Sequence, residues 1–417
     1  MFIACRVLYK MRAGWKPAIL CLFVLLSCSV FAQAPVFRAG AYARDITPTK
    51  LPVVVNGGFL PRYLDKVNDQ LHARCLVLDD GTERIALVVV DNCKIPLSLA
   101  DEIKRLIEKE TKIKRERIMI SATHTHTAPS LVFTLGTPPD EDYIAWLPAQ
   151  IVEGVVAAVK NLAPAKIGWA VGSDINNVHC RRFLMKEGTA PTNPFGGKKN
   201  DRAMMNPGHA NPNKITRTGP VDPAVSVLSI VSPDDKPIAV FANYSTHYAG
   251  APESLLSADY FGVFAQRIKD KIAEHIGAEN VSDAFVGIMS NGTSGDANCI
   301  DFLNPQRKFD YKSVGEETAQ AAMDVWPNIQ YFDWAPLRMV EKRISIRNRV
   351  PTREEVQAAK EHIAALPNGE IKTVVDVYAQ STVKMENWPK TSEIPLQAIC
   401  IGELGITAFP GEIYGIT

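Results

Sequence analysis

Charge of one sign is what this chain conspicuously lacks: across 417 residues, 46 Lys and Arg face 45 Asp and Glu, a formal net charge of +1. It has no basic stripe interleaved with aromatics either, so nothing in it points to nucleic acid as a partner. Cysteine is also sparse beyond the N-terminal segment. Cys5, Cys21 and Cys28 lie in that segment, leaving Cys75, Cys93, Cys180, Cys299 and Cys400. An odd number, widely spaced and without a C-x-x-C, argues against a disulfide framework and against a thiolate zinc site. Most of these thiols are expected to behave as buried small hydrophobes. The H-E-x-x-H, Walker and dinucleotide signatures are missing. Gly292-Thr293-Ser294-Gly295 falls one residue short of a G-x-S-x-G elbow, which leaves Ser294 little claim to a nucleophile's role. No internal repeat and no low-complexity tract appears.

The N-terminal apolar run, Ala18 to Val30, follows a basic segment (Arg6, Lys10, Arg12, Lys16) and precedes small residues at Ala32 and Ala34. It is too short to span a bilayer and reads as a secretory signal over residues 1–32, cleaved after Ala32. The expectation is an exported protein, secreted or periplasmic. Leu25-Leu26-Ser27-Cys28 also resembles a bacterial lipobox, which would anchor Cys28 to lipid, although Leu26 is bulky for that motif. With 46% hydrophobic residues, the chain can bury a large core in a domain read over 36–417.

Apolar spacing predicts strands over 39–46, 71–78, 85–91, 117–122, 166–171, 224–231, 237–244, 284–289, 337–346, 395–401 and 406–409. It predicts helices over 97–112, 143–162, 261–276, 314–325 and 353–366. Asp79-Asp80-Gly81 and Gly402-Glu403 read as hairpin turns. The expected class is therefore α/β, with mixed β-sheets flanked by α-helices. Gly, Pro and Asn cluster from Gly188 to Pro220, with Gly196-Gly197-Lys198-Lys199 inside, so no regular element is expected there. That segment is either a lid over an active site or a solvated insertion. From Phe409 the chain turns into what looks like the start of a helix and stops without a polar tail, which reads as a domain incomplete at its C-terminus.

The chemistry gathers around Ser121-Ala122-Thr123-His124-Thr125-His126-Thr127-Ala128-Pro129. Residues i and i+2 of an extended chain share a face, so His124 and His126 are expected to project side by side from a strand's end. Imidazole is the commonest zinc ligand and also titrates near neutrality, so one ring could bind a metal while the other moves protons. Local hydrogen bonding is the plainer role for both. Three other strand ends carry polar groups. His247 follows Ala239 to Tyr244 and is either structural or a ligand. Asp296 and Asn298 sit in the turn Ser290 to Asn298, where they face a substrate or ion, or merely close a tight turn. Glu412 follows Ile406 to Phe409 as a carboxylate ligand or a first-turn helix residue. Two or three His with one carboxylate is the composition of a catalytic zinc site, and such a metal suits amide or ester hydrolysis.

These residues resemble the neutral (neutral/alkaline, non-lysosomal) ceramidase family. The likeness runs from Ala39-Gly40-Ala41-Tyr42-Ala43-Arg44-Asp45-Ile46-Thr47-Pro48 through Leu76-Val77-Leu78-Asp79-Asp80-Gly81 and Ser121 to Pro129, and ends at Phe409-Pro410-Gly411-Glu412. The resemblance implies a zinc-dependent amidase that cleaves the N-acyl bond of ceramide. It implies His124, His247 and Glu412 as Zn2+ ligands, His126 as acid/base and oxyanion stabiliser beside the metal, and Arg181 or Arg182 as the active-site arginine. The family's Gly-Asp-x-Ser-Pro-Asn turn stands here as Gly295-Asp296-Ala297-Asn298-Cys299, without its serine. Its last zinc ligand, a tyrosine, and a C-terminal immunoglobulin-like domain are expected past Thr417. The missing serine leaves room for another N-acyl or ester substrate, or for a binding protein on the same fold. A lipid substrate would also bring peripheral membrane contact.

Overall fold

The computed structural model describes residues 35–191 and 201–416. The signal over 1–32, the lipobox at Cys28 and the run Gly196 to Lys199 lie outside the described residues.

Two five-stranded sheets make the centre. The first contains β1 (Arg38–Asp45), β2 (His72–Asp79), β3 (Arg84–Val90), β4 (Ile118–Ala122) and β5 (Ala163–Pro164), in spatial order β4-β3-β2-β1-β5. The second contains β6 (Lys166–Ser173), β7 (Ala224–Val231), β8 (Pro237–Tyr244), β9 (Val286–Asn291) and β10 (Tyr331–Phe332), in order β9-β8-β7-β6-β10. The hairpins β2-β3 and β7-β8 are antiparallel, whereas β3-β4 and β8-β9 are parallel.

A parallel pair needs a crossover. Helix α1 (Leu97–Thr111) supplies it in the first sheet, and α2 (Glu141–Lys160) then returns the chain to the far edge. In the second sheet α3 (Asp259–Ile276) and α4 (Tyr311–Met323) do the same. The two halves thus repeat one β-β-β-α-β-α-β topology with insertions, a repeat that no sequence period betrays.

Side-chain alternation explains the layering. Leu76, Leu78, Ile85, Leu87 and Val89 of the first sheet meet Leu228, Ile230, Phe241 and Ile288 of the second in one core. Cys75, Val77, Ala86, Val88 and Val90 face the other way, onto Ile103 and Ile107 of α1 and Leu147, Ile151 and Val155 of α2. Phe261, Phe264 and Val314 of α3 and α4 cover the outer face of the second sheet. The order of layers is helix, sheet, sheet, helix. Central strands buried on both faces read as continuous apolar runs, which is why they were legible. Helix α2 is long and apolar enough to cross a membrane, yet its apolar stripe is spent on this core.

A third sheet, β11 (Leu337–Arg347), β12 (Thr391–Ile401) and β13 (Leu404–Ala408), extends the inter-sheet core through Leu337, Met339, Ile399 and Ile401. Asp80 in the β2-β3 turn accepts from the Leu337 amide at 2.8 Å, and buried Lys104 of α1 pairs with Glu341 at 2.8 Å. Between β11 and β12 stand α5 (Arg353–Ala364) and α6 (Val374–Met385).

Three expectations need correction. No helix is expected beyond residue 366, yet α6 forms there; the box formed by Thr373 and Asp376 at its start, each side chain bonding the other's backbone, makes it a helix. The 188–220 segment does contain regular structure. Strands Ala203–Met205 and Lys214–Arg217 flank Arg182–Met185, whose Phe183 and Met185 are fully buried. Last, the chain beyond Phe409 is not helical over the described residues; it runs as an irregular segment.

Candidate active site

Because β3 and β4 run parallel, as do β8 and β9, their following loops leave each sheet on one side. Four loops converge there: Asp91 to Cys93, Thr123 to Thr127, Ser245 to Tyr248, and Gly292 to Asn298. The irregular segment after β13 joins them.

His124 does not project from an extended strand. Its φ is 72°, a left-handed conformation that His adopts more readily than bulky residues do, and its amide donates to the Asn92 carbonyl at 2.9 Å. The pairing with His126 therefore comes from a turn beyond β4, which brings the two Nε2 atoms to 3.2 Å. The threonines of the motif hold that turn: Thr125 and Thr127 hydroxyls both donate to the Ser257 carbonyl, at 2.7 and 3.0 Å.

Protonation follows from the partners. His124 Nδ1 lies 2.7 Å from the Cys93 carbonyl, and His247 Nδ1 lies 3.1 Å from the Ser294 carbonyl. A carbonyl only accepts, so both rings carry their proton on Nδ1 and present the Nε2 lone pair. Burial lowers the His124 pKa, with Glu412 opposing. It lowers His126 well below the ordinary value, assisted by the two neighbouring rings, and His247 to about 2. All three imidazoles are neutral at pH 7, the form that binds metal.

The donor atoms of His124, His247 and Glu412 lie within 4.8 Å of one another, with His124 Nε2 and Glu412 Oε1 at 3.5 Å. Metal–donor bonds of ~2.0–2.1 Å in a tetrahedron place ligand atoms about 3.4 Å apart, so these three groups fit a divalent ion such as zinc. Cys93, His124 and His126 form a second cluster of similar spacing. There, however, burial pushes the Cys93 thiol up to about 11, so it stays protonated and is a poor ligand. The described cysteines are all free, and Cys400 alone of them is exposed.

The two arginines part company. Arg181 is buried, donates to the Gly295 carbonyl at 2.9 Å and reaches Glu412 at 3.7 Å. Burial lowers its pKa, Glu412 opposing. Arg182 turns instead to the Tyr414 hydroxyl and lies over that ring at 5.2 Å. Asp296 and Asn298 are buried and already engaged: the Asp296 carboxylate accepts from Gly415 N at 2.9 Å, and Asn298 accepts from Ile300 N at 3.0 Å. Asp296 thus fastens the segment that carries Glu412, and Asn298 closes its own turn. Glu412 itself is half exposed, on an irregular segment instead of a helix.

Several contributors escaped the sequence reading. Tyr248 stacks on His126, ring centroids 3.8 Å apart. Gly57, at φ 112°, lies against the same ring, where any Cβ would sit 2.4 Å from its Cβ and Cγ. Arg62 donates to the His126 carbonyl at 2.6 Å. Asp259, buried and at φ 57°, gathers the amides of Ala249, Gly250, Ala251 and Tyr260, shaping the loop after His247. The pair Gly57-Gly58 after the apolar Val53 to Val55 was the one available signal.

The layers and strand-end loops define a four-layer α/β protein with a candidate metal centre between its halves. Two solved structures share this fold. One is the neutral ceramidase from Pseudomonas aeruginosa, with TM-score 0.63 and 17% identity over 92% of this chain and 63% of that one. The other, a ceramidase complexed with C2, has TM-score 0.63 and 17% identity over 92% of this chain and 64% of that one. The chain spans less than two thirds of the length of either. Residues 38–301 match the family model of the neutral/alkaline non-lysosomal ceramidase N-terminal region, and the chain belongs to that family.

Proposed function

We propose that the protein is an exported, zinc-dependent amidohydrolase of ceramidase type, cleaving the N-acyl bond of ceramide or a related N-acyl substrate. The observation that carries this reading is the convergence of one ring nitrogen each from His124 and His247 and the Glu412 carboxylate within 4.8 Å, with His126 adjoining His124 at 3.2 Å. Family membership supports amide hydrolysis, and the N-terminal signal read from sequence supports export. His124, His247 and Glu412 would hold the metal. Bound there, zinc supplies a Lewis acid that polarises a carbonyl and acidifies water.

The chain's own groups do the rest. Neutral His126 takes a proton from the attacking water as its oxygen bonds to the acyl carbon, and returns that proton to the departing amine as the C–N bond breaks. The products are a carboxylic acid and an amine. Tyr248 and Gly57 confine the ring, so the proton moves along a fixed direction. Arg181, desolvated and cationic, stabilises negative charge developing on the scissile oxygen.

The test is elemental analysis of the zinc-reconstituted protein and of His124→Ala and His126→Ala, beside hydrolysis of a fluorogenic N-acyl sphingosine. Wild type should hold one zinc and turn over. His124→Ala should lose the metal, whereas His126→Ala should keep it and lose about 10²–10⁴-fold in kcat. Wild type without zinc overturns the mechanism.

A further inference from the structure

A single guanidinium is bonded to the backbone of His126 and to both segments that touch its ring. Arg62 opens the second strand of a short hairpin, Val53–Val55 against Arg62–Leu64, where it stands opposite Val55. That hairpin is tied to the chain just past the histidine motif: Val55 bridges Pro129, and the Ser130 amide donates to the Val54 carbonyl at 2.8 Å. From this base Arg62 Nη2 donates to the His126 carbonyl at 2.6 Å and to the Asn56 carbonyl at 3.4 Å, while Nη1 donates to the Glu253 carbonyl at 2.9 Å.

Each acceptor governs a different part of the ring's surroundings. His126 carries the ring itself. Asn56 precedes Gly57, whose backbone lies against it. Glu253 belongs to the loop of Tyr248, which stacks on it. Between Tyr248 and Glu253, Asp259 accepts from the amides of Ala249, Gly250 and Ala251, so that stretch is one stiff piece and a tie at Glu253 is felt at Tyr248. The carbonyls, not an ion pair, are what the guanidinium serves. The Glu253 carboxylate stands 4.0 Å away with its side chain 82% exposed, where such a pair contributes little. Three acceptors from separate segments suit a planar fork of donors; an ammonium carries the same charge but lacks the fork. Among the described residues no hydrogen bond or ion pair joins Arg62 to His124, His247 or Glu412.

We infer that Arg62 is a positioning residue for amide cleavage: its guanidinium clamps the His126 backbone and the two segments that confine the ring, and so fixes the direction in which His126 takes up and delivers its proton. The inference rests on the amidase reading above for the role of His126 and adds the group that holds it in place.

The test compares wild type, Arg62→Ala and Arg62→Lys as zinc-loaded full chains hydrolysing a fluorogenic N-acyl sphingosine. Arg62→Ala should keep its zinc and lose about 10–100-fold in kcat, with KM changed by less than about threefold. Arg62→Lys should recover only part of that loss. Arg62 lines a cavity of about 280 Å3 beside His126, so ethylguanidinium has room to enter and should restore kcat to Arg62→Ala at concentrations that leave wild type unchanged. A readout independent of turnover is carbethoxylation of His126 by diethylpyrocarbonate in the metal-free protein, located by tandem mass spectrometry. It should run severalfold faster in Arg62→Ala and slow again with ethylguanidinium. Full kcat in Arg62→Ala, a loss confined to KM, or loss of zinc in both variants overturns the inference and leaves the amidase standing. Carbethoxylation that Arg62→Ala leaves unchanged removes the clamp whatever the turnover. A zinc-loaded wild type that cleaves no N-acyl substrate removes the amidase reading, and the catalytic role of the clamp with it.

Discussion

Gly57→Ala isolates His126 from the metal ligands. The added methyl would sit 2.4 Å from His126 Cβ and Cγ, where ordinary contact begins near 3.4 Å, so the ring must move by about 1 Å. Tyr248 stacked on it at 3.8 Å blocks an easy retreat. A side chain at φ 112° adds backbone strain of ~1–3 kcal/mol, and the overpacking adds ~1–3 kcal/mol. The sum, about 2–6 kcal/mol, corresponds to a Tm lowered by roughly 3–8 °C in a domain of this size. A misplacement of about 1 Å in a reacting group costs on the order of 100-fold in turnover. Zinc content should be unchanged, since Gly57 touches none of His124, His247 and Glu412. Calorimetry, elemental analysis and steady-state kinetics on one preparation separate the links. An unchanged Tm refutes the packing argument, and a lowered Tm with full kcat refutes the role given to His126.

Three more outcomes are expected. In the presence of chelator, stability should fall as pH drops from 7 to 5. His124, His126 and His247 have folded pKa values below the ordinary 6.5, so the unfolded chain binds more protons, at up to roughly 1.4 kcal/mol per pH unit for each ring. Asp91 and Asp259, raised by burial, oppose this, and a Tm that rises on acidification would sink the assignment of neutral buried rings. Arg74→Ala strips the partner, at 2.6 Å, from fully buried Asp91 and should cost about 3–5 kcal/mol in urea unfolding; a loss below 1 kcal/mol contradicts the burial of that pair. Cys93→Ser should retain zinc, because the residue serves His124 through its carbonyl; loss of metal would favour the thiol-containing cluster instead.

The central strands were readable because two-sided burial writes a run of Val, Ile and Leu, and the helices because one-sided burial writes a stripe. What sequence periodicity could not register is the repeat of topology. Ile85 to Val90 and Ile238 to Ala242 occupy matching places with unrelated residues, since a core asks for volume and apolarity, not identity. At the site, His124, His126, His247 and Glu412 stood out because each follows an apolar run. Tyr248, Arg62 and Gly57 did not, because a stacked ring, a guanidinium on a carbonyl and a close approach are fixed by loops distant in sequence. Asp296 is ambiguous for the converse reason: a carboxylate in a Gly-rich turn looks the same in sequence whether it serves a ligand or a backbone amide, and in the fold one of its oxygens takes the Gly415 amide.

The twofold architecture divides the centre in a complementary way. In the first half the loop after β3 gives a carbonyl, Cys93, and the loop after β4 gives the imidazole it orients. In the second half the loop after β8 gives the imidazole, His247, and the loop after β9 gives the carbonyl, Ser294. The carboxylate comes from a third element, the chain leaving β13. None of these pieces owns the site, so it exists only once both sheets and the third have docked. A cation held across them would act as a clasp on tertiary assembly, binding the docked state alone and stabilising it by mass action. Chains folded half by half but joined in the wrong register would present no matched donors, so metal uptake would serve as a proofreading step for the fold.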